Sequence, residues 1–309
     1  MIGFLGESLI DFISGTGEND EPLFHYYCGG CALNAATAAS RLNGEVTYIG
    51  KLSKDMFGQQ MKNYFIDNNV SLIENLCDVD ENSMIGFAKI DESGAASYVF
   101  YTERTTVNAL TTDEILDALG SVKDLRYLHV GSVSVALDKS GETILDALRS
   151  CRTLPFVFFD PNVRPTVIED FESYRKRVLS VASLSTMIKL SDEDLQLLFP
   201  SMTQQQAVAR LLRDTTSHLL LTMGKDGLRW ISQSGMDIRV DAIDNPIVDT
   251  VGAGDTVSGA VLTYLSENEI TSSTEISEQT ARKIMDFAVR CAAVTTSRKG
   301  ANPPRRDEI

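Results

Sequence analysis

The stretch NPIVDTVGAGDTVSGA, residues 245–260, sets a glycine-rich turn between a strand-like run and a helix-like run. Gly252, Ala253 and Gly254 would begin the helix, and the free amides and positive dipole end of a helix start favour an anion. Asp255 would lie in the first turn, beside that anion. A carboxylate that accepts a proton from an alcohol, next to amides that hold a phosphoryl group, meets the needs of phosphoryl transfer. An acidic residue that merely stabilises a helix start is the structural alternative.

Strand-like and helix-like segments alternate along the rest of the chain. The continuous apolar runs that predict buried strands are EVTYIGKL, RYLHVGSV, FVFFDPNV, TMIKLS and HLLLTMG, and MIGFLGESLIDFI predicts a first buried strand. The predicted helices between them cover residues 56–68, 111–119, 140–150, 169–183 and 203–213. A further helix, GDTVSGAVLTYL, would present one apolar stripe. This alternation predicts an α/β fold with a mostly parallel central sheet.

Two stretches interrupt the alternation. EPLFHYYC and SMIGFAKIDESGAASYVFYT predict extended ribbon, the second with a hairpin turn at residues 91–94. Neither is followed directly by a helix that could cover it. We therefore expect segments of about 13–28 and 84–105 to form a small β-sheet lid over the carboxyl edge of the parallel strands, inserted into a single domain of residues 1–309.

Composition and charge limit the classes of partner. The 309 residues carry a formal net charge of −15 without a compensating basic block, which disfavours nucleic acid and anionic membrane surfaces. The N-terminus lacks a basic region and carries Glu7 and Asp11 within its apolar run, unlike a signal peptide. No window approaches the roughly 20 apolar residues of a membrane span. Five cysteines, an odd number, favour a reducing, cytoplasmic location over a disulfide framework.

The sequence YYCGGCALN, residues 26–34, leaves three interpretations open. Cys28 and Cys31 have the spacing of a redox pair, and Tyr27 supplies the preceding aromatic residue. A zinc site would need a second closely spaced pair, but the three histidines are scattered. The third interpretation is that Gly29 and Gly30 let the backbone approach a ligand, with two buried cysteines beside them.

Two common phosphotransfer signatures are absent from the sequence: there is no Walker motif and no His-Arg-Asp with a downstream Asp-Phe-Gly. The chain instead resembles the ribokinase-like (pfkB) carbohydrate kinases over nearly its whole length. It has the Gly-Gly followed by Asn near the N-terminus, here Gly29, Gly30 and Asn34, and Asp-Thr-x-Gly-Ala-Gly-Asp at residues 249–255. GESLIDF, FDPNVR and MIKLSDEDL are most similar to bacterial fructokinases. The resemblance implies a three-layer α/β/α sandwich and an ATP-dependent sugar kinase.

The resemblance also implies roles for individual residues. Asp255 would be the general base that takes the proton of the attacking sugar hydroxyl, and the amides of residues 252–255 would form an anion hole. Asp11 and Asn34 would hydrogen-bond sugar hydroxyls, and Gly29 and Gly30 would let the sugar lie against backbone; a turn acid at a strand end is the alternative for Asp11.

Further matching residues would serve the nucleotide, ions and phosphate. On the nucleotide side these are Lys189, Ser191, Asp194, Thr222, Gly224 and Gly227. Ser191 and Asp194 replace the family's Asn-x-x-Glu, which puts direct contact with Mg²⁺ in doubt. Arg164 would meet phosphate or substrate, with a surface salt bridge as its alternative. Asp249 would help to hold a monovalent cation such as K⁺.

The predicted lid departs from the fructokinase pattern at its exit. Fructokinases commonly read Arg-x-Ser-Ala-Asp, whereas this chain reads Glu103-Arg104-Thr105-Thr106-Val107. Arg104 is the candidate substrate-binding residue of the lid. On a strand, a shift of one position turns a side chain to the opposite face, so the direction of Arg104 relative to the sugar is open. Fructose is the leading acceptor, with 2-keto-3-deoxygluconate or another hexose or pentose as the alternative. A non-catalytic relative that binds sugar or nucleotide is a further alternative, and the lid edge would favour a homodimer.

Overall fold

The computed structural model describes residues 1–17, 21–90, 96–214 and 217–309, so the predicted hairpin turn at 91–94 lies outside the described residues. Its strands are β1 (Ile2–Leu5), β2 (Leu9–Thr16), β3 (Pro22–Gly29), β4 (Val46–Ile49), β5 (Ser71–Leu72), β6 (Met84–Ile90), β7 (Ala96–Tyr101), β8 (Tyr127–Gly131), β9 (Phe156–Asp160), β10 (Met187–Ser191), β11 (His218–Thr222), β12 (Leu228–Ser232) and β13 (Asp237–Val240). Its helices are α1 (Cys31–Arg41), α2 (Met56–Asp67), α3 (Thr112–Ser121), α4 (Val133–Ala136), α5 (Asp138–Ser150), α6 (Phe171–Ser183), α7 (Asp192–Leu198), α8 (Gln204–Asp214), α9 (Ala253–Glu267) and α10 (Glu278–Thr296).

The main sheet has nine strands in the described chain, in the order β13-β12-β11-β10-β9-β8-β1-β4-β5. Its strands are parallel except at the β11–β12–β13 end. Side chains that alternate along β8 enter different cores: Tyr127 joins the core that contains α1, α9 and α10, and Leu128 joins the core that contains α3, α5 and α6. Helices therefore cover both faces, and the predicted three-layer α/β/α sandwich is confirmed.

A second sheet stands apart, with the order β3-β2-β6-β7. It corrects the prediction for the N-terminus: MIGFLGESLIDFI forms two strands, β1 in the main sheet and β2 in the small one. The chain changes sheet at residues 6–8, where Tyr48 donates a hydrogen bond to the Gly6 carbonyl at 2.9 Å. The second sheet thus begins at Leu9, before the expected start at about residue 13. Its last strand ends at Tyr101, before the expected end at about residue 105.

Helix α9 is buried on more than the predicted stripe. All residues from Asp255 to Thr263 are buried, because α1 and α10 pack on either side of the helix. Gly259 permits the approach of α1: a Cβ there would lie 2.6 Å from the Ala35 carbonyl oxygen. Close packing on α1 holds the start of α9 at the carboxyl edge of the main sheet. Among the described helices, none is long and apolar enough to cross a membrane.

Candidate active site

The candidate site lies along the carboxyl edge of the parallel strands. β9, β10 and β11 end there at Asp160, Ser191 and Thr222, and Ser191 is paired with Thr222 across neighbouring strands. Open α/β sheets bind ligands at this edge. The start of α9 is close to it: a Cβ at Gly254 would lie 3.1 Å from Lys189 Nζ, which comes from β10.

At the start of α9, the amide of Ala253, one of the four predicted to form an anion hole, is used within the preceding turn. Gly252 adopts φ 76°, a left-handed conformation that favours glycine, and a Cβ there would lie 2.6 Å from the Ala301 Cβ. The Ala253 amide donates to the Thr250 carbonyl. By contrast, the amides of Gly252, Gly254 and Asp255 have no acceptor within the described parts of the chain. These free amides lie at the positive end of the helix dipole, where they would stabilise an anion.

Asp255 is buried, with 8% of its surface exposed, and Asn34 Nδ2 donates to its Oδ2 at 2.9 Å. The helix start therefore brings together two predicted site residues that are far apart in the sequence. Burial raises the pKa of the Asp255 carboxyl, and the Lys189 ammonium opposes that shift. A buried carboxylate with a raised pKa accepts a proton more readily than one in water, which suits a general base.

Lys189 pairs with a residue that the sequence analysis did not single out, Asp160. Lys189 Nζ lies 2.6 Å from Asp160 Oδ2, and both side chains are buried. Ser258 Oγ of α9 donates to the same oxygen at 3.1 Å. Burial lowers the pKa of Lys189, but the adjacent Asp160 outweighs it, so the net shift is upward and the ammonium stays charged. The sequence signal for Asp160 was an acidic residue that directly follows the buried run FVFF.

Asp11 lies between glycines of the two neighbouring strands. A Cβ at Gly29 of β3 would lie 2.4 Å from Asp11 Oδ2, and a Cβ at Gly86 of β6 would lie 3.0 Å from Asp11 Oδ1. Burial raises the pKa of Asp11 to about 6, with Arg164 lowering it and Asp255 raising it further. These couplings place Asp11, Arg164 and Asp255 around one region. Gly29 is thus needed to make room for the Asp11 carboxylate, a reason that the sequence did not reveal.

Glu7 is a second buried acid that the sequence analysis did not assign to the site. Its Oε1 accepts from the Cys31 amide at 3.2 Å, and its Oε2 accepts from the Ser134 amide at 3.1 Å. Gly30, which precedes α1, has φ 103°, and a Cβ there would lie 2.8 Å from the Glu7 carbonyl oxygen. Glu7 therefore fixes the starts of α1 and α4, and with them the position of Asn34.

The two arginines lie in different surroundings. Arg164 follows β9; its Nη1 donates to the Val163 carbonyl at 3.2 Å, and its charge acts on Asp11 and Tyr98. Arg104 lies in a turn after β7, with φ 54° and an exposed side chain. The strand-face argument for Arg104 was therefore wrong, because the residue is not on a strand.

Ser191 and Asp194 form the start of α7. The Asp194 amide donates to Ser191 Oγ at 2.9 Å, and the Ser191 amide donates to Asp194 Oδ2 at 3.0 Å, a reciprocal cap. Asp194 Oδ1 accepts from the Val163 amide at 2.8 Å. Both carboxylate oxygens already have backbone partners, so Asp194 is poorly suited to bind a metal ion directly.

Thr222, Gly224 and Gly227 line the turn between β11 and β12. Gly224 and Gly227 have φ 52° and 82°, and a Cβ at Gly227 would lie 2.1 Å from the Val240 carbonyl oxygen. The structural alternative for this motif is a glycine turn that joins two antiparallel strands. The left-handed φ of both glycines and the lack of space for a Cβ at Gly227 fit that alternative. A Cβ at Gly224, by contrast, would have no atom within 4 Å, so backbone remains open there.

Asp249 joins two loops near the start of α9. Its Oδ1 accepts from the Val251 amide at 3.0 Å, and its Oδ2 accepts from the Gly300 amide at 2.9 Å. Both oxygens of Asp249 therefore have backbone partners, and the carboxylate ties the loop before α9 to the loop after α10.

The cysteines Cys28, Cys31, Cys77, Cys151 and Cys291 are free. Burial raises the pKa of the Cys28 thiol to about 11 and that of Cys31 well above its usual value. Raised thiol pKa values oppose the reactive thiolate that a redox pair requires. The Cys31 thiol lies near the Asp160 carboxylate and near His129, whose pKa burial lowers to about 3.

A buried carboxylate beside free helix-start amides, at the carboxyl edge of a parallel sheet, is the arrangement that a phosphotransferase needs. A family model of the pfkB family carbohydrate kinases matches residues 1–308. The chain belongs to this family and is a sugar kinase, which confirms the prediction from the sequence motifs.

Relatives and solved structures agree with this family. Probable fructokinase-4 of Arabidopsis thaliana is 31% identical over 317 residues, which cover 100% of this chain and 95% of that protein. Fructokinase-1 of Zea mays is 29% identical, with 96% and 92% covered. The fructokinase structure from Xylella fastidiosa has a TM-score of 0.88 at 24% identity, covering 99% of this chain and 96% of that one. A Vibrio cholerae fructokinase double mutant, bound to fructose, ADP and potassium ion, has a TM-score of 0.81 at 23% identity, with 97% and 93% covered. These structural likenesses bear out the fold.

Proposed function

We propose that this sugar kinase is a fructokinase, which transfers the γ-phosphoryl group of ATP to a hydroxyl of fructose. The observation that carries this mechanism is the buried Asp255 carboxylate, held by Asn34 at the start of α9 beside three free amides. The names of the relatives support fructose as the acceptor. The bound ATP in a Xylella fastidiosa fructokinase structure supports ATP as the donor.

In the proposed reaction, Asp255 takes the proton of the attacking hydroxyl as the sugar oxygen bonds to the γ-phosphorus. The bond between that phosphorus and the bridging oxygen of ADP breaks, and the free amides at the start of α9 stabilise the charge on the phosphoryl oxygens. The Lys189 ammonium adds positive charge next to Gly254. Because Asp160 already holds Lys189, the ammonium is positioned before the nucleotide binds.

For the sugar site, we propose Asp11, Asn34 and the backbone at Gly29 and Gly30. The coupling of Asp11 to both Arg164 and Asp255 supports this assignment, because the sugar hydroxyl must reach the base. Arg164 is the better candidate than Arg104 for contact with substrate, since its charge already acts on Asp11. Replacing Arg164 by Ala should raise the KM for the sugar several-fold more than replacing Arg104 by Ala. Equal effects would contradict this assignment.

For the nucleotide, we propose the neighbouring ends of β10 and β11 together with the turn that follows. The residues concerned are Lys189, Ser191, Asp194, Thr222, Gly224 and Gly227. The open backbone at Gly224 supports contact with the nucleotide. Mg²⁺ would arrive on the ATP phosphates, with protein contact through water, because Mg²⁺ retains its waters and Asp194 is occupied by backbone amides.

We further propose that K⁺ binds beside the two loops that Asp249 joins, through backbone carbonyls. Both oxygens of Asp249 accept from backbone amides, so Asp249 would hold the loops in place rather than bind the ion directly. A cation there would stabilise the loop that leads into the free amides of α9. The potassium ion in the Vibrio cholerae structure supports the idea of a monovalent ion in such a kinase. The test compares the rate of turnover in K⁺ with the rate in Na⁺ at equal ionic strength. Equal rates would contradict the proposed K⁺ site.

The second sheet is proposed to act as a lid on one kinase domain of residues 1–309, and as a dimer interface. Its exposed aromatic side chains support an interface with a second copy of the chain: Phe24, Tyr26, Tyr27, Tyr98 and Tyr101 are 37–58% exposed. Light scattering should find a dimer for the wild type and a monomer for Tyr101→Lys. A wild-type monomer at micromolar concentration would contradict the interface.

The free cysteines support a reducing location such as the cytoplasm.

The test of the acceptor is an ADP-release assay with Mg-ATP and a panel of fructose, glucose, ribose and 2-keto-3-deoxygluconate. We expect the highest kcat/KM with fructose. Preference for the acidic sugar would favour the alternative in which an arginine, such as Arg164, pairs with a carboxylate. If the folded protein releases no ADP with any sugar, but one sugar raises its melting temperature, the result would favour a binding protein without catalysis.

A further inference from the structure

Three buried side chains meet beneath Asp255, each from a different element. They are Cys31 at the start of α1, His129 on β8 and Asp160 at the end of β9, and one ligand atom from each lies within 4.8 Å of the other two. Their exposed fractions are 5%, 1% and 0%. We propose that these three side chains form a binding site for a soft or borderline divalent cation such as Zn²⁺.

The first argument for this site is that its donor atoms are available. Both ring nitrogens of His129 and Oδ1 of Asp160 are buried without a hydrogen-bond partner among the described residues. His129 is stacked between Phe4 and Phe158, with ring centroids 5.3 Å and 6.0 Å away, so its orientation is fixed. Buried polar atoms without partners cost stability, and a cation would satisfy them.

The second argument is the chemistry of the donor set. Thiolate sulfur, imidazole nitrogen and carboxylate oxygen are the zinc ligands of proteins, and three of them leave one position of a tetrahedron open. Zinc–ligand bonds of about 2.0–2.3 Å require ligand atoms about 3.5 Å apart. The ligand atoms now lie within 4.8 Å of one another. Rotation of the Cys31 side chain and a small movement of Asp160 would bring them to the spacing that zinc requires.

The third argument is charge. Glu7, Asp160 and Asp255 place acidic groups around the Cys31 thiol, against the one positive charge of Lys189. A divalent cation that displaces the thiol proton of Cys31 into water adds one net positive charge, which offsets part of the acidic surroundings. The Lys189 ammonium bonds Asp160 Oδ2, so it leaves Oδ1 for the cation.

Occupancy would inhibit phosphoryl transfer, a consequence that rests on the proposed function. Asp160 Oδ2 accepts from Lys189 Nζ and from Ser258 Oγ of α9, so a movement of Asp160 toward a cation would displace the start of α9. Asp255 and the free amides beside it would then lose the positions that the proposed reaction needs.

The binding test uses metal-free, ATP-free protein titrated with Cd²⁺, because the thiolate–cadmium bond has its own ultraviolet absorption. We expect one tight equivalent per chain in the wild type and in the control variant Cys28→Ser. Binding should weaken at least about a hundredfold in Cys31→Ser and in His129→Phe, whose ring would keep the stacking. Undiminished binding in either variant, or no tight equivalent in the wild type, would overturn the site. Circular dichroism checks folding, and Cys31→Ala replaces Cys31→Ser if the latter fails to fold.

The inhibition test preloads one equivalent of Zn²⁺ and measures turnover with excess Mg-ATP and fructose. We expect the wild type to lose most of its activity when Zn²⁺ is added and to recover it with a chelator. His129→Phe should keep the activity that it has without Zn²⁺ when the ion is added. Full activity in protein that holds the ion would refute inhibition but not binding. If metal-free protein phosphorylates no sugar, the proposed function fails, and the cadmium titration still decides the site.

Discussion

Replacing Asp255 by Asn removes the proposed base with little change in shape. The amide oxygen can still accept from Asn34 Nδ2, which now donates to Asp255 Oδ2 at 2.9 Å, so the start of α9 should keep its position. A general base contributes about 10²–10⁴-fold to the rate, which corresponds to about 3–5 kcal/mol of transition-state stabilisation. We expect kcat to fall by at least about a hundredfold while the sugar still binds. Because burial of the charge raises the pKa of Asp255, a neutral amide should not lower the free energy of unfolding.

The assay is ADP release at saturating fructose and Mg-ATP, with sugar binding measured separately by calorimetry. Asp286→Asn is the matched control, since Asp286 is an exposed acid on α10 and its replacement should leave kcat unchanged. A kcat within tenfold of the wild type, in Asp255→Asn protein that binds sugar normally, would refute the role of Asp255 as the base.

Three further perturbations follow from the site geometry. Since burial raises the pKa of Asp11 to about 6, Asp11 is charged above that pH; the KM for the sugar should rise as the pH falls through about 6, and Asp11→Asn should flatten this profile. Lys189→Met leaves Asp160 buried without its cation, so urea unfolding should show a loss of about 3–5 kcal/mol. Gly30→Ala forces φ 103° on a residue with a Cβ that would meet the Glu7 carbonyl, so it should cost at least about 2 kcal/mol in the same measurement.

Matched controls separate these effects from generic damage. Lys62→Met breaks an exposed ion pair with Asp78 and should leave the free energy of unfolding nearly unchanged. Gly120→Ala meets no atom within 4 Å and lies inside α3, so it should be neutral or stabilising. A loss at Lys189 or Gly30 no larger than its control would contradict the assigned contacts, and an Asp11→Asn profile that still bends near pH 6 would assign that titration elsewhere.

Local signals in the sequence were sufficient for the main sheet and for the start of α9. The continuous apolar runs became β4, β8, β9, β10 and β11 because buried parallel strands need apolar side chains on both faces. Gly252 was predictable because a helix start that follows a tight turn needs a left-handed residue. Asn34 and Asp255 came from the family resemblance, which identified two motifs that the fold brings together.

Contacts between distant segments were not predictable from local patterns. The pair of Lys189 with Asp160 depends on the neighbouring positions of β9 and β10, and an acid after a strand also fits a turn. Glu7 was interpreted as part of one continuous strand, because no local signal showed that the chain changes sheet there. The turn at Arg104 has a left-handed φ that an arginine rarely adopts, so sequence propensity favoured a strand.

The pairing within the second sheet bears on the order in which the molecule folds. β2 lies parallel to β6, with Leu9 paired with Met84, so two segments far apart in the chain must meet before this ladder forms. Loop-closure entropy delays such contacts relative to pairs of strands that are closer in the chain, such as β8 and β9. We therefore expect the backbone amides of β2 and β6 to gain protection from hydrogen exchange later than those of β8 and β9 during refolding; simultaneous protection would contradict this order. The region proposed to cover the sugar would then form after the β8–β9 part of the sheet that it covers.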